Sequence, residues 1–350
     1  KAASRNFAKA LLADPITGEF LPMFGTAGTL SIVNAVGALP TNNFRDGQFE
    51  GHDKISGEIM YETIVERGGK HKHRCHAGCV IQCSQVYNDK KGNFVSSGFE
   101  YETIWGLGAH SQIDDLDIIA KTDYIMDDIG VDSIEMAVTI GVAMDAGILS
   151  FGDGQEAIRL LEEEVSKGTP LGRILGGGTA SVGRAYGVTR VPVVKGQSIP
   201  AYDPRGLKGI GITYATSPMG ADHTAGLTLG LNLDQVPGRD KAGQVALSRD
   251  FQIGTAFIDS TGLCLFTSGP GLANPEVLIS MINARFGIEL TPADVSEMGK
   301  TILKTEHAFN RAAGLTRADD RLPEFFREPL PPHKSVWDFT DEEIDEFWDF

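Results

Sequence analysis

The chain has 350 residues, is 41% hydrophobic and carries a formal net charge of −16. That length can bury a large core and favours two domains, while the acidic balance argues against nucleic acid or an anionic membrane surface as a partner. No apolar run is long enough to cross a bilayer; an acidic surface suits a soluble cytoplasmic protein, and the start at Lys1-Ala2-Ala3-Ser4, with no Met and no targeting segment, reads as a cut from a longer polypeptide.

In chain order, the first informative feature is a cysteine triplet, Arg74-Cys75-His76-Ala77-Gly78-Cys79-Val80-Ile81-Gln82-Cys83. It overlaps a strand-like segment from Val80 to Val86, followed by a Lys90-Lys91-Gly92-Asn93 turn. Asp114-Asp115-Leu116 introduces a helix through Met126. Asp132-Ser133 opens another, with Ile134, Val138, Val142 and Ala146 on one face and Gly147 as its stop. Gln155 to Lys167 reads as a surface helix closed by Gly168, and Thr169-Pro170 supplies a cap followed by Pro at the first helical position. Helical periodicity stops between Gly187 and Pro200, which reads as a connector. Beyond it, Asn274-Pro275-Glu276 starts a helix that Gly287 closes, Thr291-Pro292 starts the next, and Thr340 with Glu343 has capping-box spacing. The fold expected is mainly α, two multihelical domains with minor β, divided into residues 1–195 and 196–350.

Cys264 stands alone in the second half. Three clustered thiols plus one distant thiol match the ligand arithmetic of a 4Fe-4S cluster. Structural zinc is the rival, held by four thiolates or by three with one of His71, His73 and His76; it would make the chain a zinc-stabilised helical binding protein. Disulfides are not needed in a chain this large. If all four thiols bind one cluster, it sits where the two halves meet.

A second pattern occurs once in each half. Asp127-Asp128-Ile129-Gly130-Val131-Asp132 has the form D-x-x-G-x-D, and Asp259-Ser260-Thr261-Gly262-Leu263-Cys264 the form D-x-x-G-L-C. A Gly in a tight turn lets backbone N–H groups approach a ligand, and an Asp beside it can accept from amine-type donors. Either copy alone is an ordinary helix-entry turn with a capping Asp; two copies, one running into a candidate cluster thiol, point to a shared ligand site.

Taken together, the triplet, Gly98-Phe99-Glu100-Tyr101-Glu102-Thr103, Gly130-Val131-Asp132-Ser133, Tyr202-Asp203-Pro204-Arg205-Gly206, Gly220-Ala221-Asp222-His223, the D-x-x-G-L-C segment and Arg317-Ala318-Asp319-Asp320-Arg321-Leu322-Pro323 resemble the tungsten- or molybdenum-containing aldehyde:ferredoxin oxidoreductase family. The resemblance implies a metal held by two pterin cofactors, a tungstopterin or molybdopterin, beside one 4Fe-4S cluster. It implies that Cys75, Cys79, Cys83 and Cys264 hold the cluster, and that Asp127, Gly130, Asp132, Asp259, Gly262 and Leu263 belong to the pterin motifs. It also implies a missing N-terminal domain of the same polypeptide, a small carbonyl substrate and ferredoxin or a similar electron carrier as partners. Without that domain the chain is an enzyme fragment that could keep its fold yet hold no pterin and show no activity. Two departures from the family pattern stand out: the first gap of the triplet is one residue longer than usual, and Arg311 lies one place early.

Aldehyde oxidation removes two electrons and several protons, so an acid/base and an electrophile are required. Glu100 and Glu102 are the acid/base candidates; they share a face on a strand but point apart on a helix, and the resemblance favours Glu102. His223 matches the family's active-site histidine and is suited to donate to a substrate carbonyl. His71, His73 and His76 flank the thiols and would tune the cluster's surroundings. Asp203 and Arg205 are candidates for a phosphate or pterin contact, because a guanidinium forks onto phosphate oxygens. The Gly176-Gly177-Gly178-Thr179 run lacks the Lys-Ser/Thr of a phosphate loop and reads as a turn. Reduction of an aromatic acyl thioester is the alternative reaction within the family.

Overall fold

A computed structural model describes residues 1–229 and 238–350. Helices dominate the fold, and the minor β consists of two small antiparallel sheets. The first has the order β1 (Lys70–His73), β2 (Ser84–Asn88), β3 (Phe94–Ser97); the second is a hairpin of β4 (Val193–Val194) and β5 (Gln197–Ser198).

The helix-start chemistry is realised where the sequence places it. Asp115 caps helix Leu116–Ile129 through the Asp117 amide, and Asp132 caps helix Ser133–Asp145 through the Glu135 amide. Thr169 accepts from the Gly172 amide, Thr291 and Asp294 form a reciprocal box before helix Pro292–Ala312, and Thr340 does the same with Glu343. Each such cap contributes about 1 kcal/mol. Asn274 provides no side-chain cap; the helix beginning at Pro275 relies on its proline instead.

Two details depart from expectation. The strand drawn from Val80 begins only at Ser84, because residues 80–83 belong to the cysteine loop and Gln82 has φ +59°, which an extended strand excludes. Strand β1 was not foreseen: Lys70-His71-Lys72-His73 has no apolar alternation, since it is an edge strand facing water on one side. The result is that the cysteine triplet is the loop of a hairpin, closed by the pairing of His73 with Ser84.

Helix Tyr101–Leu107 is buried on every side. It packs on helix Ser133–Asp145, whose residues Met136 to Met144 are all buried. Gly106 permits that approach, since a Cβ there would come within 2.6 Å of the Ala137 Cβ. Burying an Ile104 or a Leu107 is worth about 1.5–3 kcal/mol each, which outweighs the weak helix propensity of a seven-residue segment. The main core draws residues from Ala27 to Phe347 and includes the buried helix Lys208–Thr216. A second, smaller cluster is built from Phe257, Ile258, Leu278, Ile279 and Val295. Cys264 follows helix Gln244–Ser260, which supplies two of those residues.

Candidate active site and thiol cluster

Helix Tyr101–Leu107 begins between the two candidate glutamates and sends them in opposite directions. Glu100, in extended conformation just before the helix, accepts from the Thr26 hydroxyl at 2.7 Å. Burial pushes its carboxyl up to about 7, against the hydrogen bond from Thr26. It lies on the thiol side, where its charge acts on Cys83.

Glu102, in the first turn, points the other way. Its Oε2 accepts the Ala201 amide at 2.9 Å, while Oε1 faces His223 Nε2 at 3.3 Å and has no hydrogen bond of its own. Burial holds the Glu102 carboxyl above its ordinary range; His223 and the Ala201 amide pull it down, and Asp222 and Asp132 push it up. Tyr101 donates to the Ala201 carbonyl at 2.8 Å, so Glu102 and Tyr101 grip both sides of one residue. Tyr202 lies between Tyr101 and His223, with ring centroids 5.3 and 5.9 Å away, and Tyr214 donates to the Tyr202 carbonyl. Sequence reasoning did not single out this tyrosine wall. The signal available was three tyrosines in runs of small or acidic residues, which is too common to use.

His223 sits on a tightly held loop. Gly220 has φ +118° and lies so close to the Val194 carbonyl that a Cβ would meet it at 2.6 Å. Asn310 donates to the Pro218 carbonyl, and Lys195 to the Ala215 carbonyl while pairing with Asp320. Arg311 pairs with that same Asp320 at 2.6 Å. Thus Lys195 and Arg311 brace the chain around the His223 loop.

The four cysteines are free thiols and come together. Cys83 is pushed up to about 12, first by burial and then by Glu100, Cys264, Cys79 and Cys75. The Cys75 thiol is raised by burial and by Cys79, and Cys264 by burial and then by Cys75 and Cys79. Every pair among the four is therefore within electrostatic reach, although Cys264 is 181 residues (264 − 83) beyond the triplet. The Gln82 amide donates to Cys79 Sγ at 3.4 Å. Burial and then crowding raise the cost of ionising Cys75, Cys83 and Cys264; a bound cationic centre reverses that cost by replacing the protons. The donor set fits a 4Fe-4S cluster. Among the described residues, no three His, Cys, Asp or Glu converge on a point that would hold a single ion.

The two D-x-x-G motifs adopt the same local structure. Asp127 and Asp259 each lie in the last turn of a helix, and Gly130 and Gly262 follow in left-handed conformation, φ +75° and +71°. A Cβ on either glycine would meet nothing within 4 Å. Both Asp side chains are exposed and, among the described residues, make no hydrogen bond or ion pair. Asp259 is raised by burial and by Asp222. Asp132 and Asp222 both act on Glu102, so the two motifs flank one region. Open space over two left-handed glycines beside unpaired carboxylates fits a planar ligand with amine donors. Leu263 packs against the smaller core cluster, placing Cys264 at its edge.

Asp203 and Arg205 are engaged differently. Arg205 is 1% exposed and donates to Asp203 from Nε and Nη2, to the Phe44 carbonyl at 2.6 Å and to the Glu328 carbonyl at 3.2 Å. Those protein partners take up most of the guanidinium's donors, which makes the pair a strut within the core. His110 is fully buried against Phe44 and Trp105, and burial lowers it to about 3. The Gly176–Gly178 run is the expected turn, between helices Pro170–Leu175 and Thr179–Tyr186.

A mainly helical fold that gathers four thiols and also pairs a buried glutamate with a half-buried histidine has the groups an oxidoreductase uses. The sequence comparisons make the class specific: residues 2–350 match the family described as aldehyde ferredoxin oxidoreductase, domains 2 & 3, and the chain belongs to that family. It is 33% identical over 343 residues to the tungsten-containing aldehyde ferredoxin oxidoreductase of Pyrococcus furiosus, covering 91% of this chain and 55% of that protein. The enzyme of the same name from Thermococcus kodakarensis is 34% identical over 339 residues, with the same coverages. The chain thus spans about half the length of these curated relatives. The active-site complex BamBC of benzoyl coenzyme A reductase, solved with 1,5-dienoyl-CoA, shares the fold, with TM-score 0.68 and 15% identity over 99% of this chain and 60% of that one. No helix among the described residues is long and apolar enough to cross a membrane.

Proposed function

We propose that this chain is the cluster- and pterin-binding part of a cytoplasmic tungsten- or molybdenum-dependent oxidoreductase that oxidises aldehydes or related carbonyl compounds to acids. The observation that carries this is the meeting of Cys264 with Cys75, Cys79 and Cys83. Residues 1–195 and 196–350 each contribute one pterin motif, and an N-terminal domain of the same polypeptide completes the site. Asp127 and Asp259 hold the pterins through their amine groups, with the amides around Gly130 and Gly262 alongside. When bound, the metal–pterin group supplies a two-electron acceptor and the cluster a one-electron outlet to ferredoxin or a similar carrier.

The balance is RCHO + H2O → RCOO⁻ + 3 H⁺ + 2 e⁻, so the protein has three protons to manage. Glu102 is placed to take and release them, because burial keeps its carboxyl readily protonated and its Oε1 has no competing hydrogen bond. His223 Nε2, 3.3 Å away, orients the substrate carbonyl oxygen or shares the Glu102 proton. Tyr101, Tyr202 and Tyr214 limit water around the pair.

Elemental analysis with a visible spectrum, on the full-length protein purified anaerobically, tests the assignment. About four irons per chain together with tungsten or molybdenum are expected, with iron lost in Cys83→Ser. Stoichiometric zinc without iron would overturn it in favour of a zinc-stabilised binding protein.

A further inference from the structure

We propose that strand β1 and the tip of the cysteine loop form the docking surface for an acidic one-electron carrier protein. This rests on the oxidoreductase function above and locates where its electrons leave. The chain as a whole has net charge −16, yet residues 67–88 contain no Asp or Glu. Within that stretch Lys70, Lys72, Arg74 and His76 are exposed, as is the Cys75 thiol.

Exposure sorts these side chains. Lys70 and Lys72 are exposed and alternate with the half-buried His71 and His73, and His71 meets the Tyr61 ring at 4.8 Å. β1 lies at the sheet's edge, and among the described residues no further strand pairs with it. Among the described residues, the side chains of Lys70, Lys72 and Arg74 enter no ion pair or hydrogen bond. Surface cations such as Lys167 and Lys241, by contrast, are paired with Glu163 and Glu343. Three unpaired cations, in a stretch without acidic residues, thus lie where the thiols approach the surface.

Charge complementarity sets the occupant. An acidic protein is repelled by most of this surface and steered toward a local positive field. At physiological salt, screening over about 8 Å leaves only the nearest cations effective. A carrier seated on Lys70 and Lys72 has its redox centre beside Cys75, three residues further on. Each aldehyde oxidised releases two electrons, so two oxidised iron–sulfur carriers dock in turn and leave reduced by one electron each.

The test is Lys70→Glu/Lys72→Glu in the holoenzyme, with an acidic plant-type [2Fe-2S] ferredoxin and, separately, the small cationic dye benzyl viologen as acceptors. The variant should lose about tenfold in kcat/KM for ferredoxin and most of its salt dependence, with viologen turnover and iron content unchanged. Arg5→Glu/Lys9→Glu, an equal change in net charge outside β1, should leave ferredoxin kinetics within about twofold. Unchanged ferredoxin kcat/KM in the β1 variant would overturn the docking surface. If the wild-type protein reduced neither acceptor, the proposed activity would fail. Direct ferredoxin binding would then decide the surface, upheld by about tenfold weaker affinity in the variant and overturned by equal affinity.

Discussion

Glu102 with His223 and Asp203 with Arg205 are two largely buried acid–base pairs that differ in completeness. Asp203 receives two guanidinium bonds and the Arg205 amide, and Arg205 spends further donors on two carbonyls. Glu102 has one oxygen bonded to an amide and the other facing an imidazole at 3.3 Å without a hydrogen bond. A saturated pair has nothing left to offer a substrate, whereas an unsaturated buried carboxylate has both a displaced pKa and a free acceptor. Both pairs sit in motifs that the sequence marks as functional; saturation is what separates them.

The largest expected effect follows from Glu102→Gln. The amide preserves size and the bond from Ala201 but cannot carry a proton. Activity of the holoenzyme should fall by about 10²–10⁴-fold, with iron content and melting temperature close to wild type. Activity within a few-fold of wild type would remove Glu102 from the chemistry and return attention to Glu100.

Arg205→Leu should behave in the opposite way. It leaves the Asp203 carboxylate buried without its partner, a loss of about 3–5 kcal/mol, read as a lower urea midpoint. Combining it with Asp203→Asn should recover part of that loss. A stable Arg205→Leu protein that had lost its pterin would show that the strut also reaches the cofactor.

Asp123 lies between these extremes. It is buried, accepts from the Ser96 hydroxyl, and is raised to about 7 by burial, with Asp127 adding to the shift. A carboxyl whose folded pKa exceeds its unfolded value contributes stability below the unfolded pKa and loses it as pH rises through the folded one. Wild type should therefore lose stability relative to Asp123→Asn between about pH 4 and 7, by up to about 1.4 kcal/mol per pH unit. Parallel pH profiles of the two melting temperatures would refute this.

How much of this was legible in the sequence depends on the range of the interaction. The caps at Asp115, Asp132, Thr169, Thr291 and Thr340 are local chemistry, readable from a few residues, and they are present. The thiol set was readable because cysteines are rare and their spacing is informative. The strut was not legible because a Pro-Arg-Gly turn looks alike whether its Arg meets a phosphate or the Phe44 carbonyl 161 residues earlier. Strand β1 was missed because an edge strand needs no apolar alternation. The Glu102–His223 contact spans 121 residues (223 − 102) of chain, and only the family resemblance suggested the two roles; no spacing rule does so.

The smallest effect tests whether Asp132 does more than cap a helix. Its side chain accepts the Glu135 amide at 2.8 Å, and its charge also pushes the Glu102 carboxyl upward. Asp132→Ala removes both contributions and should cost about 1 kcal/mol. Asp132→Asn keeps a good cap and removes only the charge, so its stability should match wild type. With that charge gone, Glu102 ionises at lower pH. If Glu102 is the base, the acidic limb of kcat against pH should move to lower pH in Asp132→Asn. A limb that stays in place would confine Asp132 to capping. A limb that moves to higher pH would mean that the group titrating there is not Glu102, which would undo the contrast between the saturated and unsaturated pairs.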